Sequence, residues 1–319
     1  MGGIDGPFIG SEALAAGLVS RRGLRNGYEA IYRNVYLPKG YEVTATTRAK
    51  AAWLWARRDA TVAGLSAAAL HGTKWIDAGL PAEMIRIGEA VHGIVIHRDT
   101  LVGDEICVID GIPATTPART AYDLGRRGSL TRAVIRLDSL ANATGLKPDD
   151  VRPLIDGHKG SRGIVQLRRA VDFMDGGTES PQETRTRLLL INAGFPRPTT
   201  QIVVCNEYGD FVARIDMGWP EFRVGVQYDG PQHWTDPDRH ARDISRPNCR
   251  RLIGRSSGSA ATCCATGPRC FSRAFATRCG PRAGPTATRS DLTHASGSIA
   301  WHKCDLVASQ RGGQTELLE

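Results

Sequence analysis

Three carboxylates in the second half of the 319-residue chain have the types and spacing of a cation-dependent hydrolytic site. Asp216 and Asp229 each end a segment with the alternating pattern of a β-strand, and Glu183 stands in a predicted helix before them. Phosphodiester hydrolysis needs an activated water and neutralised charge at the phosphate, and Mg²⁺ held by carboxylates and waters supplies both. We therefore predict that Asp216 and Asp229 converge on one Mg²⁺, with Mn²⁺ as the alternative ion.

A helix and a three-stranded meander are expected to position these residues. Ser180 is predicted to cap the helix, with Pro181 at its first position and Glu183 three residues after the cap. Strands are predicted over 201–205, 212–217 and 223–230, and a second helix follows them. Carboxylates on neighbouring strands behind a helix are the core arrangement of the restriction-endonuclease-like fold.

Four motifs occur in this segment in one order. They are Glu183-Thr184-Arg185 with the leucines after it, Arg214-Ile215-Asp216, the stretch Val224 to His233, and Ala241-Arg242-Asp243-Ile244. In this order they resemble the very-short-patch-repair-like branch of the PD-(D/E)XK nucleases. The resemblance covers residues 176–247 and implies a partial restriction-endonuclease-like domain that cleaves DNA.

The resemblance also implies a role for each residue. Asp216 would be the principal metal ligand and Glu183 would support it. Asp229 and His233 would complete the site near the scissile phosphate, and Arg242 would lie behind it or contact a phosphate. Taken singly, Glu183 also fits a capping box, Asp229 fits a turn with Gly230, and His233 fits a solvated surface imidazole.

Gln227 stands where relatives have glutamate. Because an amide cannot be an anionic ligand, the site has one charge fewer. Two outcomes stay open: a Mg²⁺-dependent endonuclease that works through its aspartates, or a binding protein with an inactive site.

The first 45 residues have the order of a winged helix-turn-helix. Ser11 and Ser20 are predicted to cap two short helices, a hairpin is predicted to follow them up to about Gly40, and residues 31–37 alternate like a strand. The second helix carries Arg21, Arg22 and Arg25, where a recognition helix would meet phosphates and base edges. The same arginines also suit a solvated helix in a purely structural module.

Residues 46–175 are predicted to form a mixed α+β region. Helices are expected over 46–72 and again up to residue 172, with strands over 84–87, 94–97 and 106–109, and residues 110–120 are expected to form a turn that leads into another helix. The stretches Ser66 to Gly72 and Asp110 to Thr120 resemble AbiE-type antitoxin-like proteins, whose winged helix binds operator DNA. That resemblance implies the alternative function, a non-catalytic DNA-binding regulator of antitoxin type.

Composition limits the class of protein. Lys and Arg number 41 against 33 Asp and Glu, and the net charge of +8 suits a phosphate-bearing partner or a modest surface bias. No apolar run reaches the roughly 18 residues of a membrane span, and the N-terminus lacks signal-peptide features. With only Cys107 and Cys205 before residue 249, we expect a cytoplasmic protein with buried, reduced cysteines.

Residues 248–319 are predicted to be a disordered tail. From residue 247 to Ser290 there is no Asp or Glu, and six cysteines fall after residue 248 without metal-site spacing. When residues 248–284 are back-translated with GC-rich codons and the frame is moved by two nucleotides, one permitted choice reads as a V-I-R-V strand and an amphipathic helix, both expected at this point of a nuclease domain. We interpret the tail as the product of a frameshift near residues 246–248, which leaves the nuclease-like domain truncated and weakly stable.

Overall fold

The computed structural model describes residues 4–222 and 224–227 and the backbone of the strand at 302–305. The chain divides into two compact units, Met1–Pro181 and Gln182–Glu319. Helices and several sheets occur together, so the predicted α+β class is confirmed. The regions predicted over 1–45 and 46–175 both lie in the first unit.

The first unit begins with a small antiparallel sheet and two helices. Their order is β1 (Phe8–Ile9), α1 (Gly10–Ala15), α2 (Arg21–Gly27), β2 (Tyr28–Tyr32) and β3 (Val35–Pro38), and the strands pair in the order β1-β3-β2. The predicted hairpin is present as β2 and β3, but the strand predicted over 31–37 is not continuous. The chain turns at Arg33 and Asn34 instead, and Asn34 has φ +62, a conformation that Asn tolerates better than most residues.

One of the two predicted N-caps is present. The Ser20 hydroxyl accepts a hydrogen bond from the backbone N–H of Gly23 at 3.0 Å. Ser11 lies within α1 rather than before it, because Ile9 occupies the cap position without a side-chain bond. The Ser11 backbone N–H donates to the side chain of Asn34 at 3.0 Å, which fixes α1 to the turn between β2 and β3.

The middle of the first unit is a five-stranded sheet with two helices. It comprises α3 (Ala45–Trp55), β4 (Thr61–Val62), α4 (Gly64–Leu70), β5 (Ala82–Ile85), β6 (Ile94–His97), β7 (Ile106–Ile109) and β8 (Ile112–Thr115). The strand order is β6-β5-β4-β8-β7. Strands β6 and β7 have the predicted bounds. The helix predicted over 46–72 is interrupted by β4, and residues 112–115 form a strand instead of a turn, because both segments pair with distant strands.

Two apolar clusters hold α3 and α4 against this sheet. Ala51 and Ala52 of α3 pack with Met84 and Ile94, whereas Ala49 and Ala67 pack with Val62 and Ala114. Alanine at these positions lets the helices approach the strands closely. Thr44, not Thr47, caps α3, since its hydroxyl accepts from the Thr47 N–H at 3.1 Å.

Four helices complete the first unit: α5 (Pro117–Gly125), α6 (Leu130–Thr144), α7 (Pro148–Gly157) and α8 (Ile164–Phe173). Their shared core includes Leu124, Leu137 and Leu167, each at most 2% exposed. None of the helices in the described part of the chain has the length and apolar character needed to cross a membrane.

The second unit contains α9 (Pro181–Asn192), β9 (Thr199–Cys205), β10 (Phe211–Trp219), β11 (Val224–Gln227) and β12 (His302–Asp305). Strands β9, β10 and β11 form the predicted antiparallel meander, and Leu190 of α9 packs on Met217, Trp219 and Val226. β12 pairs in parallel with β11, so these four residues of the predicted disordered tail form a strand. The rest of the tail and the end of the strand predicted over 223–230 lie outside the described residues.

Candidate functional site

Glu183 begins the candidate site in the first turn of α9. The helix starts at Pro181, as the sequence predicts, and Glu183 is only 8% exposed. The side chain of Gln201 on β9 donates a hydrogen bond from Nε2 to Glu183 Oε2 at 3.4 Å. This hydrogen bond links α9 to β9 through two residues that are 18 positions apart in sequence.

Gln201 is unusual in both its backbone and its side chain. Its φ is +52, in the left-handed region that a residue with a side chain rarely adopts within a strand. Such a conformation costs on the order of 1–3 kcal/mol and is concentrated at functional sites. Its Oε1 atom is buried and has no hydrogen-bond partner among the described residues. Sequence reasoning missed Gln201, because nothing in the residue type signals either property.

Asp216 lies on β10 at the same level of the sheet as Gln201. Its neighbours Ile215 and Met217 pair with Ile202 and Thr200, so the backbone of Asp216 stands opposite that of Gln201. The structure therefore brings the backbone of Asp216 next to the residue that contacts Glu183.

Gln227 lies on the other side of Asp216. Met217 pairs with Val226, and one further step of that register sets Asp216 opposite Gln227 at the end of β11. The Cα of Gln227 pairs in turn with that of Asp305 on β12. The backbone positions thus form one row across three strands, made up of Gln201, Asp216 and Gln227.

The donor set of this row suits a hard divalent cation. Carboxylate and amide oxygens are the ligand types that Mg²⁺ and Mn²⁺ take, and the orphaned Gln201 Oε1 is a buried oxygen of that kind. Within the described ranges, no group of three or more His, Cys, Asp or Glu side chains is placed to hold a metal ion. Predicted site residues Asp229, His233 and Arg242 lie outside the described residues.

The predicted DNA-contacting arginines of the first unit are exposed. Arg21, Arg22 and Arg25 all lie on α2 with their side chains in solvent. Arg33, also exposed, occupies the turn between β2 and β3. Arg33 is not among the predicted DNA contacts, because the alternation over residues 31–37 predicts one strand and does not place the turn at Arg33.

A buried ionic network surrounds Arg119, which lies in the stretch Asp110 to Thr120. Arg119, 2% exposed, donates to Glu105 at 2.7 Å and to Asp123 at 3.1 Å, and Asp123 also accepts from Arg126 at 2.9 Å. Burial lowers the pKa of Arg119, but the two carboxylates outweigh it and raise the pKa above its ordinary value. The arginine of this motif therefore acts as an internal counter-ion rather than as a surface contact.

His71 and the two described cysteines have simple environments. His71 occupies the C-cap position of α4, and its Nε2 lies 2.8 Å from the carbonyl oxygen of Thr115. Cys107 is half-buried, and both it and Cys205 are free thiols. The expectation that Cys205 is buried is wrong: it is exposed near the end of β9.

Comparison with known proteins gives relatives without an assigned activity. No protein-family model matches the chain. Two uncharacterized proteins of Mycobacterium tuberculosis, one from each of two strains, are 30% identical to it over 154 residues. The match covers 48% of this chain and 56% of each relative, so the chain spans about half the length of the curated relatives it matches.

Proposed function

We propose that the second unit is a nuclease-like domain of the very-short-patch-repair type, and that the protein hydrolyses phosphodiester bonds in DNA. The observation that carries the proposal is the contact of Glu183 with Gln201, directly across from Asp216. A helix residue and a strand residue are in contact there, and the backbone of Asp216 lies on the neighbouring strand, in the part of the meander where the motifs predict a metal site.

The side chains of Glu183 and Asp216 would bind the cation and fix its position. Bound Mg²⁺ supplies neutralised charge at the scissile phosphate and activates a water for attack. Glu183 and Asp216 would hold the cation, and the Gln201 amide restrains the Glu183 carboxylate through its hydrogen bond. Gln227 adds a neutral side chain beside Asp216 where a glutamate would add a charge, so we expect weak cation affinity.

DNA cleavage tests this proposal. Supercoiled plasmid and mismatched duplex are incubated with the full chain and Mg²⁺ or Mn²⁺, alongside a version whose tail is restored to the shifted frame. We expect metal-dependent cleavage that Asp216→Asn and Glu183→Gln abolish. Glu207→Gln, in the exposed turn between β9 and β10, is the matched control and retains cleavage. Cutting that persists in Asp216→Asn contradicts the proposal.

The second candidate is a non-catalytic DNA-binding regulator of antitoxin type. Its support is the solvent exposure of Arg21, Arg22 and Arg25 on α2, followed by a β2–β3 hairpin in a sheet of order β1-β3-β2. This is the connectivity of a recognition helix with a wing. Duplex binding that needs no metal and is lost in Arg22→Ala, with no cleavage by either version of the chain, favours the regulator. Both candidates act on DNA, and we propose a cytoplasmic location for either.

A further inference from the structure

The orientation of the Gln201 amide is set by its partner. A carboxylate can only accept, so the amide nitrogen faces Glu183 Oε2, and the amide oxygen points elsewhere. That oxygen is buried without a hydrogen-bond partner among the described residues. A buried acceptor of this kind usually has a partner, and a bound ion is one of the groups that can supply it.

The backbone of Gln201 gives a second, independent observation. A left-handed residue with a long side chain persists in a strand only where the surroundings impose it, and here φ is +52. Glycine or asparagine would adopt that conformation more easily. The chain keeps a glutamine here, with its side chain on Glu183 and its backbone opposite Asp216.

We propose that Oε1 of Gln201 is an oxygen ligand of the divalent cation, beside Glu183 and Asp216. The inference rests on the proposed nuclease function. An amide carbonyl is an accepted ligand for hard divalent ions, although it carries no charge. The role accounts together for the orphaned oxygen, the left-handed backbone and the contact with Glu183.

Calorimetric titration of the full chain with Mn²⁺ tests this role without relying on cleavage. Gln201→Gly removes the oxygen and tolerates the left-handed backbone, so the fold is retained. We expect Gln201→Gly to weaken Mn²⁺ binding about tenfold or more. Gln201→Glu places a charged oxygen at the same position, and we expect it to tighten binding. Val203→Thr, exposed two residues along the same strand, is the matched control and binds like the natural chain.

The variants distinguish a Gln201 that binds the cation from a Gln201 that only holds Glu183 in place. If Gln201 only restrains Glu183, then Gln201→Glu sets two carboxylates against each other and weakens Mn²⁺ binding, which overturns the inference. Equal affinity of Gln201→Gly and the natural chain overturns it as well. If Asp216→Asn and Glu183→Gln abolish binding while Gln201→Gly does not, the inference fails and the proposed function stands. Absence of Mn²⁺ binding by the natural chain at millimolar concentration rejects both. Circular dichroism verifies that each variant is folded.

Discussion

Nη1 of Arg119 lies 2.7 Å from Oε2 of Glu105, and both side chains are almost completely excluded from water, at 2% and 3% exposure. Asp123 binds the same guanidinium from the next turn of α5 at 3.1 Å. Ions removed from water are stabilised only while each keeps its partner. In the middle of the first unit, Arg119 therefore pairs with two buried carboxylates, one of which, Asp123, is shared with Arg126.

We expect Arg119→Met to destabilise the first unit by about 3–5 kcal/mol, because it leaves buried Glu105 without its arginine and leaves Asp123 with Arg126 as its nearest cationic partner. Urea denaturation followed by circular dichroism measures the change. Arg152→Met is the matched control, since the ion pair of Arg152 with Asp149 is exposed at the surface of α7. Equal unfolding free energies for the two variants would show that the buried network does not stabilise the unit.

Glu83 is expected to make stability depend on pH in the acid range. Its Oε2 lies 2.8 Å from His97 Nε2 and 3.3 Å from Arg127, and its Oε1 accepts from the Leu65 N–H at 3.1 Å. Burial raises the pKa of Glu83, but His97, the Leu65 N–H and the charge of Arg127 outweigh burial and hold the pKa below the ordinary 4.5.

The sign of the pH effect follows from that shift. Because the folded pKa lies below the unfolded value, ionised Glu83 stabilises the unit fully above about pH 4.5, and this stabilisation is lost as the pH falls through the folded pKa. We expect Glu83→Gln to be less stable than the natural chain at neutral pH, with the difference shrinking towards about pH 3. Urea denaturation across this range measures it, with exposed Glu42→Gln as the control. A constant difference at every pH would contradict the assignment.

Gly218 allows β10 and β11 to approach closely beside the candidate site. A Cβ at Gly218 would collide with the backbone carbonyl oxygen of Val224 on β11, which cannot move aside like a flexible side chain. We expect Gly218→Ala to destabilise the second unit by about 1–3 kcal/mol and to speed amide hydrogen exchange in β10 and β11. Gly27→Ala, where a Cβ has no atom within 4 Å, is the control. Unchanged exchange in Gly218→Ala would contradict the expected strand separation.

The arginines of α2 are expected to set the salt dependence of DNA binding. Each phosphate contact contributes a slope of about −0.9 in a plot of log affinity against log salt. Replacing Arg21, Arg22 and Arg25 with alanine should therefore reduce the slope by about 2–3, if all three arginines contact phosphates. Fluorescence anisotropy with duplex DNA at several salt concentrations measures this. Arg152→Ala, exposed on α7, should leave the slope unchanged. An unchanged slope in the triple variant removes α2 from the interface.

Local signals predicted many element bounds well. Strands β6 and β7 and the start of α9 at Pro181 lie where residue patterns placed them. The errors fall where tertiary pairing decides the structure: β4 breaks the helix predicted over 46–72, and β8 replaces a predicted turn. Thr61 and Val62 are β-branched, but two residues are too few to show an alternating pattern, and they form a strand because β5 and β8 flank them.

The sequence by itself determined the α+β class, the order of helix and meander in the second unit, and Glu183 and Asp216 as its candidate ligands. Residue periodicity and capping chemistry are local, and they suffice for these features. Only the tertiary structure decided which residues meet. Strand register set Gln201 and Gln227 on either side of Asp216, and packing buried Arg119 between two carboxylates. Such relationships depend on contacts between residues far apart in the chain, and no local pattern encodes them.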